Sequence, residues 1–190
     1  MRLKDDKKIE QVFQSTLEVV EDSGLAGINM CDVSRSAGIA TGTLYIYFKN
    51  KEELINELFT NCRRESASYY FKDYDENEEF ESSFKKIFYN ILNYKLTNFR
   101  KSIFLEQYFH SPYVTEKKRQ ESNRLLQPFF ELMDKGKSVG SIKKIDSLLL
   151  LWFVIGCINE VIKGSHYRKR PVTEDVKDEM YSFCRNGMAS

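Results

Sequence analysis

The chain has 190 residues, with 29 Lys and Arg against 28 Asp and Glu and a formal net charge of +1. This length suits a helical domain with a small appended one, and the four cysteines lack the paired spacing of metal sites. No nucleophile–base pair or carboxylate pair stands out, so we expect neither enzymatic activity, nor a catalytic or metal site, nor a cofactor. Without a secretory signal, the protein is expected to be cytoplasmic with reduced thiols. The longest apolar run, Leu148 to Ile158, is shorter than a membrane-spanning helix, so no membrane partner is expected.

The first predicted helix runs from about Lys7 to Ser23, with apolar residues on one stripe and Gly24 as its end. The basic residues before and inside it could be a frayed terminus or an arm that reaches a phosphate. These residues are Arg2, Lys4, Lys7 and Lys8.

The next segment predicts a helix-turn-helix. Asn29 can cap a short helix, and Asp32 three residues later has the spacing of a capping box. Ala37-Gly38 supplies the small residue and the permissive turn that a tight corner between helices requires. A second short helix follows from about Thr41 to Phe48, and a new cap at Asn50 begins a third.

The second short helix has one face suited to a core and one suited to DNA. At about 100° per residue, Thr41, Leu44 and Phe48 share one side, and Ile46 points the opposite way. Small groups let a backbone approach base edges, and hydroxyls reach bases or phosphates, whereas Lys49 suits a phosphate at the following helix N-terminus. The alternative is a surface helix with incidental aromatic residues. The predicted DNA-binding residues are Thr41, Gly42, Thr43, Tyr45, Ile46, Tyr47, Lys49 and Lys51.

These residues resemble a known family. The sequence TGTLYIYFKNKEELINELF, preceded by INMCDVSRSAGIA, is similar to the N-terminal domain of tetracycline-repressor (TetR) family regulators, from near Ile9 to about Phe59. The resemblance implies a DNA-binding transcriptional repressor. Ala40 departs from the family's frequent capping Ser, so the recognition helix would begin at Thr41, and Cys31 and Asp32 replace residues that often face phosphates. The positions implied to contact DNA are Thr41, Thr43, Tyr45, Tyr47 and Lys51.

The predicted organisation is a DNA-binding domain over residues 1–50 and a helical effector-binding and dimerisation domain over residues 51–190, joined by a continuous helix. No Pro or Gly interrupts the helix that begins at Lys51 until well past Tyr70. Residues 1–56 hold seven basic and nine acidic residues, a balance of minus two, whereas a DNA-binding module is expected to be basic. We therefore expect the bases to gather on one face.

The remaining chain predicts further helices and an all-α fold. These helices are predicted over about 78–99, 101–110, 114–135, from Asp146 onward, and over 172–186. In the helix over 114–135, Pro128 is expected to cause a kink or a restart. Gly136 is expected to end that helix. The segment LLLLWFVIGCI after Asp146 is apolar all round, so a partner subunit is expected to cover it in a homodimeric four-helix bundle. The predicted dimer interface comprises Leu148, Leu149, Trp152, Phe153, Gly156, Asn159 and Tyr181.

The aromatic content, with 14 Phe and 11 Tyr, permits either a ligand pocket or ordinary core packing. We expect a small, largely apolar or aromatic effector that displaces the helix beginning at Lys51 and releases a palindromic operator. Two alternatives are a protein of this fold without an effector and a helical interaction protein with a vestigial helix-turn-helix. The candidate ligand-binding residues are Phe84, Phe88, Ile91, Phe104, Tyr108 and Phe129.

Overall fold

The computed structural model of the chain describes residues 6–190, and Arg2 and Lys4 of the predicted basic arm lie outside them. The described residues form an all-α fold, as predicted. A short 3-10 turn, Leu25–Gly27, follows the first helix. The helices are α1 (Asp6–Ser23), α2 (Met30–Ser36), α3 (Thr41–Tyr47), α4 (Lys51–Tyr70), α5 (Phe80–Thr97), α6 (Phe99–Phe109), α7 (Glu116–Leu125), α8 (Gln127–Ser138), α9 (Ser147–Arg168) and α10 (Glu174–Met188).

The chain divides into two compact units. The N-terminal unit comprises residues up to 64 together with 100–119, and the C-terminal unit comprises 65–99 and 120–190. α4 is uninterrupted, as predicted, and its residues divide between the units after Arg64. The division of functions at residue 50 stays a prediction, because these units are defined by packing alone.

Each unit has its own apolar core. In the N-terminal unit the core includes Val12, Leu17, Leu44 and Phe48, each at most 1% exposed. The C-terminal unit buries one stripe of α5 against residues of α8, α9 and α10. This burial is what fixes the orientation of each amphipathic helix and hence which residues face outward.

The segment predicted as one helix over 114–135 is two helices. α7 ends at Leu125, Leu126 leaves helical geometry with φ −99° and ψ 7°, and Pro128 lies in the first turn of α8. A proline is tolerated there because the first N–H groups of a helix have no intrahelical partner. Of the two alternatives that Pro128 allowed, the restart is therefore the one observed.

The prediction that Gly136 ends a helix was wrong. α8 continues to Ser138, and a Cβ built on Gly136 would lie 2.5 Å from the ring of Phe80. Gly136 is required because α5 and α8 approach closely at this point, and it does not serve as a helix stop.

We expect Gly136→Ala to destabilise the protein by about 1–3 kcal/mol, because the added methyl overlaps the Phe80 ring. For a chain of this length the melting temperature should fall by roughly 3–10 °C in a thermal denaturation scan. Gly164→Ala in α9 is the matched control, since nothing lies within 4 Å of a Cβ at that position. An unchanged melting temperature for Gly136→Ala would contradict this packing role.

α9 is more apolar than the run from Leu148 to Ile158 indicated. Its 22 residues are long and apolar enough to cross a membrane by length and composition, and only 28% of its most apolar window is buried within the chain. The core helix of a soluble protein passes the same test. The prediction from the shorter run missed this property, because it stopped at the first polar residue and not at the end of the helix.

Candidate nucleic-acid interface

The helix-turn-helix is held by local hydrogen bonds. The side-chain oxygen of Asn29 accepts from the backbone N–H of Cys31 at 2.8 Å, which confirms the predicted cap of α2. Gly38 has φ +64°, as the predicted turn requires. The Gln11 amide of α1 donates to the carbonyl of Ala37 at 2.8 Å, so the turn is fixed to the first helix.

α3 is anchored by two fully buried side chains. Leu44 and Phe48 are 0% exposed, and the Phe48 ring lies 5.9 Å from that of Phe13. Ala40 provides no side-chain cap, and α3 begins at Thr41 as predicted. The Thr41 and Ser34 hydroxyls lie 2.8 Å apart and join α3 to α2. The orientation of α3 is thus set by its inner side.

The outer side of α3 carries large apolar groups beside an unobstructed backbone. Ile46 is 70% exposed and Tyr45 is 50% exposed, although both have large apolar surfaces. A Cβ built on Gly42 would meet no atom of residues 6–190 within 4 Å. Thr43 and Tyr47 are half-buried at the edges of this surface. Within residues 6–190, no packing accounts for a glycine and an exposed isoleucine here, which makes this side a candidate contact surface.

The N-terminus of α4 follows α3 closely in the sequence. The Asn50 side chain accepts from the backbone N–H of Glu53 at 2.8 Å, so the predicted cap is present. Lys49 is exposed, and its backbone N–H donates to the Glu53 carboxylate. The Lys51 ammonium donates to the carbonyl of Ala26 at 3.1 Å and lies 5.9 Å from the centre of the Tyr113 ring. Lys51 is therefore engaged within the protein, a role that the sequence pattern did not reveal.

Two acidic residues of α1 form ion pairs with a residue distant in the sequence. Arg100 of α6 forms ion pairs with Glu18 at 2.9 Å and with Glu21 at 2.5 Å. The hydrogen bond to Glu21 raises the pKa of Arg100 above its ordinary value. Within the N-terminal unit, the described residues include 12 Lys and Arg against 11 Asp and Glu. The acidic balance counted over residues 1–56 is removed by bases that come later in the chain.

α6 makes further bonds to this unit. The Gln107 side chain accepts from the backbone N–H of Leu25 at 2.7 Å, and the Tyr108 hydroxyl donates to the Asn56 side chain at 2.6 Å. The Tyr108 ring also stacks on Phe59 with the ring centres 3.9 Å apart. These positioning residues lay outside the motif, and no sequence signal pointed to them.

The six candidate ligand-binding residues do not share one core. Phe84, Phe88, Ile91 and Phe129 belong to the core of the C-terminal unit. Phe104 and Tyr108 belong instead to the core of the N-terminal unit. The helical spacing correctly indicated burial for all six, but it carried no information on which core each residue enters.

The predicted dimer residues divide between an exposed face and the interior. Asn159 is 8% exposed, Leu148 is half-buried, and Tyr181 packs on the rings of Phe84 and Phe88. Phe183 of α10, 74% exposed, was missed by the sequence analysis. The exposed residues form what we term the α9/α10 face, which comprises Leu149, Trp152, Phe153, Gly156 and Phe183.

α9 and α10 pack against each other beside these exposed residues. A Cβ built on Gly187 of α10 would lie 3.3 Å from the Phe153 ring of α9. Trp152 is 63% exposed and Leu149 is 52% exposed. Large apolar side chains exposed side by side are typical of an interaction surface.

The chain matches two protein-family models. Residues 13–58 match one described as bacterial regulatory proteins, tetR family. Residues 59–189 match one described as tetracyclin repressor-like, C-terminal domain.

Individual proteins are also similar. An uncharacterized HTH-type transcriptional regulator of Haemophilus influenzae is 32% identical over 82 residues, which are 43% of this chain and 44% of that protein. The crystal structure of a TetR family transcription regulator from Marinobacter aquaeolei VT8 has a TM-score of 0.89 at 19% identity and covers 100% of both chains. FadR from Bacillus subtilis in complex with stearoyl-CoA has a TM-score of 0.69 at 20% identity, covering 95% of this chain and 97% of its own. Because the identities to these two structures are 19% and 20%, their similarity shows only that this chain shares their fold.

Proposed function

The chain belongs to the TetR family of bacterial regulatory proteins, which are DNA-binding transcription regulators, and from this premise we propose a more specific function. The protein is a cytoplasmic repressor that binds a palindromic operator as a homodimer. A small, largely apolar or aromatic effector releases it from the operator. The match of residues 59–189 to a repressor-like domain supports repression over activation.

The observation that carries the DNA-binding surface is the contrast between the two sides of α3. Leu44 and Phe48 are fully buried, whereas Tyr45, Ile46 and Gly42 face outward, and no packing among the described residues explains them. In a major groove, Ile46 would contact thymine methyl groups, and the hydroxyls of α3 would contact bases or phosphates. Lys49, beside the α4 N-terminus, would contact a phosphate.

The α9/α10 face supports the homodimer. A palindromic operator presents two half-sites, and a two-fold dimer supplies two recognition helices. A second copy of α9 and α10 would complete a four-helix bundle over this apolar face. Gly156 has nothing within 4 Å of a built Cβ, so a partner helix could approach closely there.

The C-terminal unit supports an apolar effector through its large aromatic core. The similar FadR structure holds stearoyl-CoA, which is a property of that protein. For an effector to release DNA, it must bind the DNA-free conformation of this chain more tightly than the DNA-bound one. α4 is the helix through which effector binding would affect DNA binding, because its residues belong to both units.

Fluorescence anisotropy tests the DNA-binding proposal, with duplexes from upstream of the gene and its neighbours, a scrambled duplex and a salt series. We expect saturable binding to one segment. Tyr45→Ala/Tyr47→Ala should weaken this binding by roughly 10- to 1,000-fold, as expected for lost base and phosphate contacts.

Tyr69→Ala is the matched control, since Tyr69 is 40% exposed and lies outside the helix-turn-helix. It should bind the operator as the native protein does. Equal and steeply salt-dependent binding to every duplex would show that only phosphates are contacted. That result, or no binding at moderate salt, would overturn the proposal of a sequence-specific regulator.

A further inference from the structure

We propose that Cys157 and Cys184 are an oxidation site for peroxides, at which a reversible disulfide between α9 and α10 weakens operator binding. We term these two residues the α9–α10 thiol pair. The site goes beyond the proposed effector, because its trigger is a two-electron oxidant and not a bound ligand. It rests on the proposed function in one respect, since operator affinity is one of its two readouts.

The two cysteines lie opposite one another on neighbouring helices. α9 and α10 pack together, and a Cβ built on Gly187 near the end of α10 would lie 3.3 Å from the Phe153 ring near the start of α9. The two helices are therefore antiparallel. Cys157 lies about one turn after Phe153, and Cys184 lies about one turn before Gly187. This places the two side chains together, and their thiols are hydrogen-bonded to each other.

The two thiols differ in exposure and in acidity. Cys157 is half-buried, whereas Cys184 is 0% exposed. Burial, together with the adjacent Cys157 thiol, raises the pKa of Cys184 to about 12. Cys184 therefore stays protonated near neutral pH, and a protonated thiol is a poor nucleophile. Cys157 is the thiol that an oxidant meets first, and Cys184 is placed to react with the product.

The reaction consumes one peroxide molecule and two thiols. The Cys157 thiolate attacks one oxygen of hydrogen peroxide, so that an S–O bond forms, the O–O bond breaks, and the departing hydroxide takes up a proton to become water. The Cys184 sulfur then attacks the sulfur of the resulting sulfenic acid. The S–S bond forms, the S–O bond breaks, and the second hydroxide leaves as water with the proton of Cys184. The two sulfurs lose two electrons, which the peroxide gains.

The remaining cysteines lie elsewhere. Cys31 and Cys62 belong to the N-terminal unit, so the C-terminal unit contains only the α9–α10 thiol pair. In a reducing cytosol, disulfides are mostly transient and serve in redox sensing. An adjacent second thiol converts the sulfenic acid to a disulfide before further oxidation makes the change irreversible.

The disulfide would form beside the α9/α10 face. Gly156 and Phe183, both members of that face, are the sequence neighbours of Cys157 and Cys184. Non-bonded heavy atoms stay about 3.5–4 Å apart, whereas the S–S bond is about 2.05 Å long. The two sulfur atoms must therefore approach each other by on the order of 1.5 Å.

This approach meets resistance one turn away. The Phe153 ring already lies close to the backbone of α10 at Gly187, so closer helices would displace this ring. Because Phe153 is a member of the α9/α10 face, its displacement changes the surface that a second copy would pack against. Shifts of this size at subunit interfaces are sufficient to change the arrangement of subunits. Disulfide formation is thus expected to weaken the dimer and, with it, operator binding.

Hydrogen peroxide treatment of the full-length protein tests the site through two separate readouts. Peptide mapping by mass spectrometry without reductant identifies peptides linked through Cys157 and Cys184. Fluorescence anisotropy gives operator affinity before oxidation, after oxidation and after reduction with dithiothreitol. We expect the linked peptides as the main product and an operator affinity lowered by about 5- to 150-fold, the usual range of coupling between sites. Reduction should restore the affinity.

Three variants separate the roles of the cysteines. Cys157→Ser lacks the attacking thiol, so its operator affinity should not respond to peroxide. Cys184→Ala should accumulate the sulfenic acid at Cys157, which dimedone traps, and should form no link. Cys31→Ser is the matched control, because Cys31 is exposed and lies outside the C-terminal unit. Its affinity should fall on oxidation by the same factor as that of the native protein.

A native protein that forms no link between Cys157 and Cys184 would overturn the site, and so would a link that leaves operator affinity unchanged. An affinity loss that persists in Cys157→Ser and disappears in Cys31→Ser would assign the response to Cys31 and overturn the inference as well. If the reduced protein binds no operator, the proposed regulator fails, whereas the linked peptides still decide whether the thiol pair is oxidised.

Discussion

Trp152→Asp/Phe183→Asp is expected to convert the protein from a dimer to a monomer and to weaken operator binding strongly. Trp152 is 63% exposed and Phe183 is 74% exposed in the single chain. Burying each side chain in a partner contributes about 1.5–3 kcal/mol. In a two-fold interface every substitution occurs twice, so four carboxylates would lose hydration. Dimer dissociation should increase by at least about 1,000-fold.

Analytical ultracentrifugation at micromolar concentration measures this change against the monomer mass of 22.4 kDa. Val139→Asp is the matched control, because Val139 is also an exposed apolar residue, at 63%, and lies in neither α9 nor α10. Operator affinity should fall in parallel, since a monomer contacts only one half-site and loses the effective concentration that links the two. A native protein that sediments as a monomer would refute the proposed dimer, and a double aspartate variant that remains dimeric would refute the α9/α10 face as its interface.

Features set by local chemistry were predictable from the sequence. Asn29, Asn50 and Asp146 each accept from a backbone N–H two or three residues later, so short-range spacing was sufficient to identify these caps. Leu44 and Phe48 were assigned to the inner side of α3 because helical periodicity decides which residues share a face.

Features set by partners distant in sequence were not predictable. Arg100 pairs with acids 79 and 82 residues away, and Gln107 bonds to a backbone group 82 residues away. Gly136 resembles a helix stop until the Phe80 ring is placed beside it. Periodicity indicates that Phe104 is buried, but which core buries it depends on how the chain folds back. The net charge of the N-terminal unit was mispredicted for the same reason, because a count over residues 1–56 omits Arg100.

Gly42→Leu is expected to reduce specific operator binding to the level of a scrambled duplex without harming the fold. No atom of the described part of the chain lies within 4 Å of a Cβ at Gly42, so the new side chain would extend into solvent in the free protein. Glycine is the less favourable helix residue by about 0.8–1 kcal/mol, so the melting temperature should hold or rise slightly. On DNA, the same side chain would occupy the space through which the backbone of α3 approaches the base edges. Loss of all direct base contacts corresponds to roughly 1,000-fold or more in affinity.

The graded substitution Gly42→Ala distinguishes steric exclusion from a helix-propensity effect. Alanine improves helix propensity with a much smaller side chain, so its operator affinity should lie between those of the native protein and Gly42→Leu. Gly164→Ala in α9 introduces the same methyl in an open position outside the helix-turn-helix and should leave operator affinity unchanged. Anisotropy with the operator and the scrambled duplex gives the affinities, and thermal denaturation gives the stability. If the Gly42→Leu variant binds the operator as tightly as the native protein does, this side of α3 does not approach DNA closely.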